Sequence, residues 1–514
     1  MSARAKKYLI ITAVVLGALA LLCVVVVPRL ADVNRYRPEV AAFLESKTGK
    51  PVHIGRLGLS LFPHLAIQVD DFVVGNPKGF PSGDFFKSQR IYALLQAGPL
   101  WDRKIVIQSL IVEDPVIHLL SNTAGRWNYE NPPAPASKTA GAPSSEGPGF
   151  SLGTISSVSI QGGQVTIANL LPSGAMGPTY FDGQGLSCQF RNVNIDALTS
   201  GNSSAASSGP SGIVPARDNH STPVARGSFH ADSLRFGAIQ ATAVDSDIQV
   251  FPQQAYLENL RLKFAGGTVT GKAASDFSRQ NLLYSAQTAF QKIDVAQMLK
   301  AFPSASGKMT GTMRGNLNLH GEATHSSDPL RGLRGTGKVS VQNGRLPTLQ
   351  LNKNLLFLVR MAGVGATSGD PDSFTTISTD LNLANQILSS HHVTIVSNDL
   401  NVDAAGTVGV ADPNRMNYTG TALMPARQGG LTNLVTQISG ATFANGKLSF
   451  PFVLGGTLDN PKFSLKTGKG ILGGLTASPS SGGKQGAQPA DTIQNLFNMF
   501  RKKKSTTTTT TPPK

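Results

Sequence analysis

The stretch Trp101–Pro132, WDRKIVIQSLIVEDPVIHLLSNTAGRWNYENP, decides how the fold is read. It reads as extended chain, in which strict alternation would place apolar residues on one face only. Instead Val106, Leu110, Val112, Val116 and Leu120 occupy one parity, and Ile105, Ile107, Ile111, Ile117 and Leu119 the other. Both faces are apolar, and something other than water has to cover the second.

A chain of 514 residues has room for two to four ordinary domains or one elongated one. Its 54 glycines and 31 prolines favour turns over long helices. Cys23 lies in an apolar run far from Cys188 in character, so no disulfide framework is implied. Helical signals are few: VNRYRPEVAAFLESKTGK with Gly49 as its stop, DVAQMLKAF with Asp294 as N-cap, Asn352–Gly365, and Gly430–Gly440. Most of the rest is strand-patterned. Gly162-Gly163, Gly266-Gly267, Asn343-Gly344 and Asn445-Gly446 each have the composition of a two-residue hairpin turn. Pro115 and Pro461 each open a strand, which suits an edge or a first position.

Three stretches lack a core pattern: Pro/Ser/Ala/Gly-rich 132–150, Ser/Gly/Asn-rich 200–225, and Gly/Ser-rich 467–490. They divide the body into strand-patterned segments 28–131, 151–199 and 226–466, with a low-complexity tail at 505–514.

Residues 1–7 carry Arg4, Lys6 and Lys7, and residues 8–27, Tyr8 to Val27, follow without a charge. Twenty apolar residues span a bilayer as a helix. The run is long for a signal peptide and meets Pro28-Arg29 instead of a small-residue cleavage site, so a retained anchor is expected. The basic residues ahead of it put the N-terminus in the cytoplasm and the body outside.

The net charge of +16 suggests nucleic acid until it is divided. Three basic groups precede residue 28; seven basic and one acidic follow residue 466. The 439 residues between carry 36 basic and 29 acidic groups, a net +7. No basic stripe is interleaved with aromatics, as single-stranded nucleic acid would need. No nucleic-acid partner is expected.

Enzyme signatures fail one by one. GLRGTGKV spaces Gly332, Gly337 and Lys338 like a phosphate loop, but Val339 stands where Ser or Thr should bind magnesium, so it reads as a tight Gly-rich turn. His391-His392 sits in an alternating strand that sends the imidazoles to opposite faces, and Asp70, Asp71 and Asp380 have no partner at catalytic spacing. No cofactor, metal or catalytic residue is expected.

At the C-terminus Asp491 is placed to cap a short helix whose Ile493, Leu496, Phe497 and Phe500 form one apolar stripe. Arg501, Lys502, Lys503 and Lys504 follow at once, so residues 491–504 read as an amphipathic basic helix for an anionic lipid surface, or as a cap on the end of the β-body.

The order of these features resembles the AsmA family of bacterial envelope proteins over roughly Tyr8 to Leu465. The details are Thr48-Gly49 before a basic residue and a strand, Gly75-Asn76-Pro77 closing the third strand, the Leu/Ile run quoted above, and Gly125 to Asn128. Later come GKMTGTMRGNLNLHGEA, GLRGTGKVSVQNGRL and FVLGGTLDNPKFSL. The resemblance implies a mainly β fold: an elongated, twisted antiparallel sheet curled into a groove with a few short helices, preceded by one transmembrane helix. It also implies an inner-membrane anchor, a periplasmic body and a role in phospholipid traffic. About 25 strands at ~4.8 Å would extend about 120 Å.

Val106, Leu110, Val112, Val116 and Leu120 then become the groove-lining set, facing phospholipid acyl chains, unless a second sheet covers them as in a sandwich. The function expected first is lipid binding or conduction between inner and outer membrane. The second is an interaction scaffold that assists outer-membrane protein assembly, with outer-membrane or other envelope proteins as partners and client strands captured at its edges.

Overall fold

The computed structural model describes residues 33–60, 64–96, 106–130, 154–194, 222–276, 282–323, 332–347, 372–398, 400–410, 414–426 and 440–466, with 197, 214, 370, 433 and 436. The anchor at 8–27, the basic helix at 491–504, the helical segment at 352–365, nearly all of 430–440 and most of the three low-complexity stretches lie outside the described residues. No helix among the described residues is long and apolar enough to cross a membrane.

A 3-10 turn at Val33–Tyr36 leads into α1, Arg37–Thr48. Pro38 suits its first turn, and Gly49 ends it in the left-handed region (φ 64°), donating its N–H to the Glu45 carbonyl at 2.8 Å. The other helix, α2 (Val295–Leu299), is capped by Asp294, whose Oδ1 accepts the Gln297 N–H at 3.1 Å.

All the strands among the described residues belong to one sheet. Its first strands are β1 (Val52–Ser60), β2 (Ala66–Gly75), β3 (Asp84–Leu95), β4 (Ile107–Glu113), β5 (Val116–Ser121) and β6 (Thr154–Leu170). The middle strands are β7 (Met176–Asn194), β8 (Ala225–Phe236), β9 (Ile239–Val250), β10 (Gln254–Phe264), β11 (Gly267–Asp276), β12 (Leu282–Asp294) and β13 (Thr310–Ala323). The last are β14 (Arg334–Arg345), β15 (Ser373–Ala384), β16 (Ile387–Val396), β17 (Asn401–Gly409), β18 (Met416–Pro425), β19 (Thr442–Ala444), β20 (Lys447–Gly456) and β21 (Pro461–Leu465). From β6 to β18 each strand pairs antiparallel with the next; β18 then pairs with β20, which also pairs with β19 and β21.

The expectation of a wholly antiparallel sheet fails at one place. β4 and β5 lie end to end as one interrupted strand, antiparallel to β3 on one side and parallel to β6 on the other. A parallel join needs a long return path. Here the two parallel strands are separated in sequence by residues 122–153, a connection long enough for such a join. The described strands number 21, fewer than about 25, and two pairs of them share a lateral position.

Two of the hairpin dipeptides turn the chain and two do not. Asn445-Gly446 (φ 52° and 71°) joins β19 to β20, and Ala265-Gly266 (φ 42° and 75°) joins β10 to β11, one residue ahead of the expected pair. Gly162-Gly163 and Asn343-Gly344 lie inside β6 and β14 as bulges. Positive φ also recurs within or between strands at Asp71, Asp114, Gly185, Ala243, Asn259 and Lys292. Each bulge inserts one residue and shifts the side-chain parity beyond it. In β10, Leu257 and Leu260 continue one face across Glu258-Asn259; in β12, Phe290 and Ile293 do so across Gln291-Lys292.

Many of the buried apolar residues fall into five clusters, each drawn from neighbouring strands and the segments beside them. A sandwich would join strands remote in the sheet order, and none of these clusters does so. The largest runs from Leu400 and Val402 through Ala422 to Phe450, Phe452 and Leu454.

Candidate functional site

Residues paired directly across strands point to the same face of a sheet, so the registers trace each face in full. One row begins Leu59, Ile67, Ala93, Leu110, Val158, Phe190. It continues through Gly227 to Ile248, Leu257, Ala273, Ala286 and Leu319, then through Gly335 to Leu383, Leu388, Val408 and Met416. Every strand from β1 to β18 except β5 contributes one member, and each is apolar or glycine. Sixteen steps at ~4.8 Å make the row about 77 Å long. Most of its members are half-buried, the state of an apolar face without a second sheet over it.

The opposite face is polar over most of that length. The neighbouring row reads Ser159, Gln189, Ser228, Asp247, Glu258, and further on Gln287, Asn318, Thr336, Asn382, Ser389, Thr407, Asn417. At the β1–β4 end it carries Tyr92 and Ile111 instead. There the Arg90 guanidinium lies 5.8 Å from the Tyr92 ring centroid and pairs with Asp70 and Glu113, both at 3.3 Å. This stack and the aliphatic stem beneath it flank the second apolar face of the quoted stretch.

The five residues expected to share a face are split by the Asp114-Pro115 break. Leu110 and Val112 lie on the apolar row and the one beside it, and Val106 just precedes β4, its carbonyl accepting the Gln96 N–H at 3.0 Å. Asp114 (φ 46°) adds the residue that shifts parity, so Ile117 and Leu119 continue the apolar face while Val116 and Leu120 turn to the other. Leu120 is 5% exposed there, packed with Ala168, Leu170 and Phe80. Gly162 sits opposite the break; an added Cβ would collide with the Asp114 carboxylate.

Glycines of the presumed turn around Lys338 are also strand residues. Gly335 and Gly337 lie within β14, where a Cβ would strike the Asn318 and Asn316 carbonyl oxygens first and the Leu319 and Leu317 side chains next. His391 and His392 occupy a bulge in β16 and do not alternate: both backbone N–H groups donate to Asp380 Oδ1, at 3.1 and 2.7 Å. The His392 N–H bond first, and then the contact with the His391 imidazole at 3.2 Å, hold the Asp380 carboxyl below its ordinary range. Among the described residues no group of His, Cys, Asp and Glu is arranged to hold a metal. Cys188 stands on the apolar face between Ile160 and Phe229, and burial pushes its thiol up to about 11.

The residues quoted for the resemblance from the first 130 positions meet at one end of the sheet. Asn128, fully buried, donates to Asn76 Oδ1 at 2.8 Å and to the His118 carbonyl at 2.7 Å, and accepts the Leu120 N–H at 3.0 Å. Lys50, 6% exposed, donates to the Tyr129 carbonyl at 2.8 Å and lies 5.1 Å from the Phe85 ring centroid; burial lowers its pKa. The free edge of β1 is sealed by side chains. Glu45 Oε1 accepts the Val52 N–H, Asn34 Oδ1 accepts the Leu57 N–H, and Arg37 donates to the Gly55 carbonyl. At the far end β21 is short and opens on Pro461.

Among the described residues these features define a two-faced β-meander whose distinguishing surface is a continuous apolar face. The model of the AsmA family matches residues 4–171, and the family resemblance read from the sequence is shown over that stretch, which ends one residue past β6. No curated relative and no solved structure matches the chain.

Proposed function

We propose that this chain is a membrane-anchored periplasmic protein that binds or conducts phospholipid between the inner and outer membranes, the acyl chains lying along the apolar face of a sheet curled into a groove. In this reading Tyr8–Val27 is the inner-membrane anchor, the strands lie in the periplasm, and the activity supports outer-membrane biogenesis and integrity. The observation that carries it is the unbroken apolar row from Leu59 to Met416.

Each acyl methylene moved from water onto that row gains about 0.8 kcal/mol, while headgroups stay solvated along the open side. The process is passive and the protein is not an enzyme; direction comes from partners or from lipid gradients. Capture of client strands has less behind it, because side chains already occupy the β1 edge.

Mass spectrometry of lipids co-purifying with the detergent-solubilised full chain tests the reading. Near-stoichiometric phospholipid, reduced several-fold in Leu110→Asp with the fold retained by circular dichroism, is the expected result. A wild-type protein that carries no lipid overturns it.

A further inference from the structure

Over most of the sheet the apolar face is covered along one rim, the one formed by the β2–β3, β6–β7, β8–β9 and β12–β13 connections. α1 lays Val40, Ala41 and Leu44 over β1–β3. α2 and Met309 cover the rim of β13–β16, and Ala426, Ala441 and Phe443 cover that of β17–β20. Beneath these covers Ile54, Val341, Val402 and Phe450 are 0–3% exposed.

Between the first cover and the second the rim is open among the described residues. There the apolar face runs out in a last row, Leu119, Ile167, Phe181, Phe236 and Ile239. Phe236 is 38% and Ile239 36% exposed, and Leu171 in the adjoining β6–β7 turn is 45% exposed; Met176 pairs with Leu170 and belongs to the opposite face. Three of the ten exposed large hydrophobic residues among the described ones gather here, at two neighbouring hairpin tips, and Phe236 and Ile239 continue the interior face. Isolated exposed apolar residues need no explanation; a contiguous group that extends an apolar face does.

We infer that this gap is a lateral portal through which phospholipid acyl chains pass onto and off the apolar face. The inference rests on the lipid reading above and adds the place of entry. The occupant follows from what the face lacks. From Val158 to Ile167 along β6 it extends about 30 Å, twice the hydrocarbon depth of one leaflet. Across β6–β9 the face carries few hydroxyls: that of Ser246, placed to donate to the Asp247 or the Glu258 carbonyl at 2.9 or 2.8 Å, and the phenol of Tyr180 at the rim, its ring edge-on to Phe236 at 6.3 Å. A polypeptide laid here would bring backbone amides with no partner, whereas a hydrocarbon chain needs none.

The test uses the full chain in detergent and its uptake of a pyrene-labelled phospholipid from vesicles of phosphatidylethanolamine and phosphatidylglycerol. Phe236→Ser/Ile239→Ser and, separately, Leu171→Ser are compared with Phe302→Ser, an exposed apolar residue away from the gap. The double variant is expected to take up lipid at least fivefold more slowly and Leu171→Ser about twofold more slowly, with the urea midpoint of Leu171→Ser unchanged and Phe302→Ser like wild type. Wild-type uptake rates in both portal variants overturn the portal while leaving the lipid reading standing. No uptake by wild type removes the lipid reading itself. A wild-type dimer that either portal variant splits, with uptake unchanged, assigns the patch to a second copy and also overturns the portal.

Discussion

The region that matches the family, β1–β6, and the meander from β10 to β18 present the same apolar face by different means. In the first, polar side chains fix the geometry: Asn76, Asn128 and Lys50 lock two loops, and Asn34, Arg37 and Glu45 seal an edge. In the meander, the face follows from alternation and bulges, and its polar row is solvated. The recognisable motif residues are therefore scaffold, while the property proposed to carry function is a pattern shared by both regions. The contrast predicts where single substitutions hurt most. Asn128→Leu strands three hydrogen-bond partners around a fully buried side chain and is expected to cost on the order of 3–5 kcal/mol in urea unfolding. Its polar counterpart Asn318→Ala, exposed in the meander, is expected to stay within about 0.5 kcal/mol. Equal losses would break the comparison.

The second contrast lies within the face itself. Phe450→Ala, fully buried beneath a cover, is expected to lose about 3–5 kcal/mol. Leu319→Ala, half-buried on the open row, should lose only about 1 kcal/mol. If Leu319→Ala unfolds as easily as Phe450→Ala, the row is a dry core and not an accessible surface.

Smaller again is the difference between two left-handed glycines. Gly174 (φ 78°) has nothing within 4 Å of an added Cβ, so Gly174→Ala carries the backbone cost alone, about 1–2 kcal/mol. Gly162→Ala (φ 70°) must also displace Asp114 from the break between β4 and β5, and should exceed it by on the order of 1 kcal/mol. Matching values would mean that the Asp114 break yields freely.

The same positions show what the sequence could reveal. Alternation identified the strands, and Gly49 and Asp294 marked the helix ends correctly, because those signals are local. A glycine pair signals positive φ, but a bulge and a hairpin turn both use positive φ; Gly162-Gly163 and Gly266 differ only in which strand lies alongside. Parity counting therefore carried Val116 and Leu120 through the Asp114-Pro115 break to the wrong face. The parallel join of the interrupted strand to β6 depends on a register between segments separated by the 132–150 stretch, and no local pattern encodes it. The row itself is visible only after pairing, when glycines such as Gly335 can be seen making room for leucines.

The smallest expected effect separates the polar face of β8–β9 from that of the β1–β4 end, and it is read by pH. Arg90 at that end stays charged throughout, so its pairs with Asp70 and Glu113 respond only to carboxylate protonation. His230 in β8 lies 2.7 Å from Asp245 and 3.4 Å from Asp232, and the Asp245 bond above all raises its pKa from 6.5. A raised folded-state value means that folding favours the protonated form. The stabilisation is complete below pH 6.5 and is lost as pH climbs through the raised value. With the His230 side chain 44% exposed, solvent screening limits the gain to a few tenths of a kcal/mol. Wild type should thus lose a little stability between pH 6 and 8 that Asp245→Asn does not lose, measured as the difference in urea midpoint across that range. A loss of the same size in both proteins would assign the pH dependence to other groups and leave the Asp245 pair without a role in it.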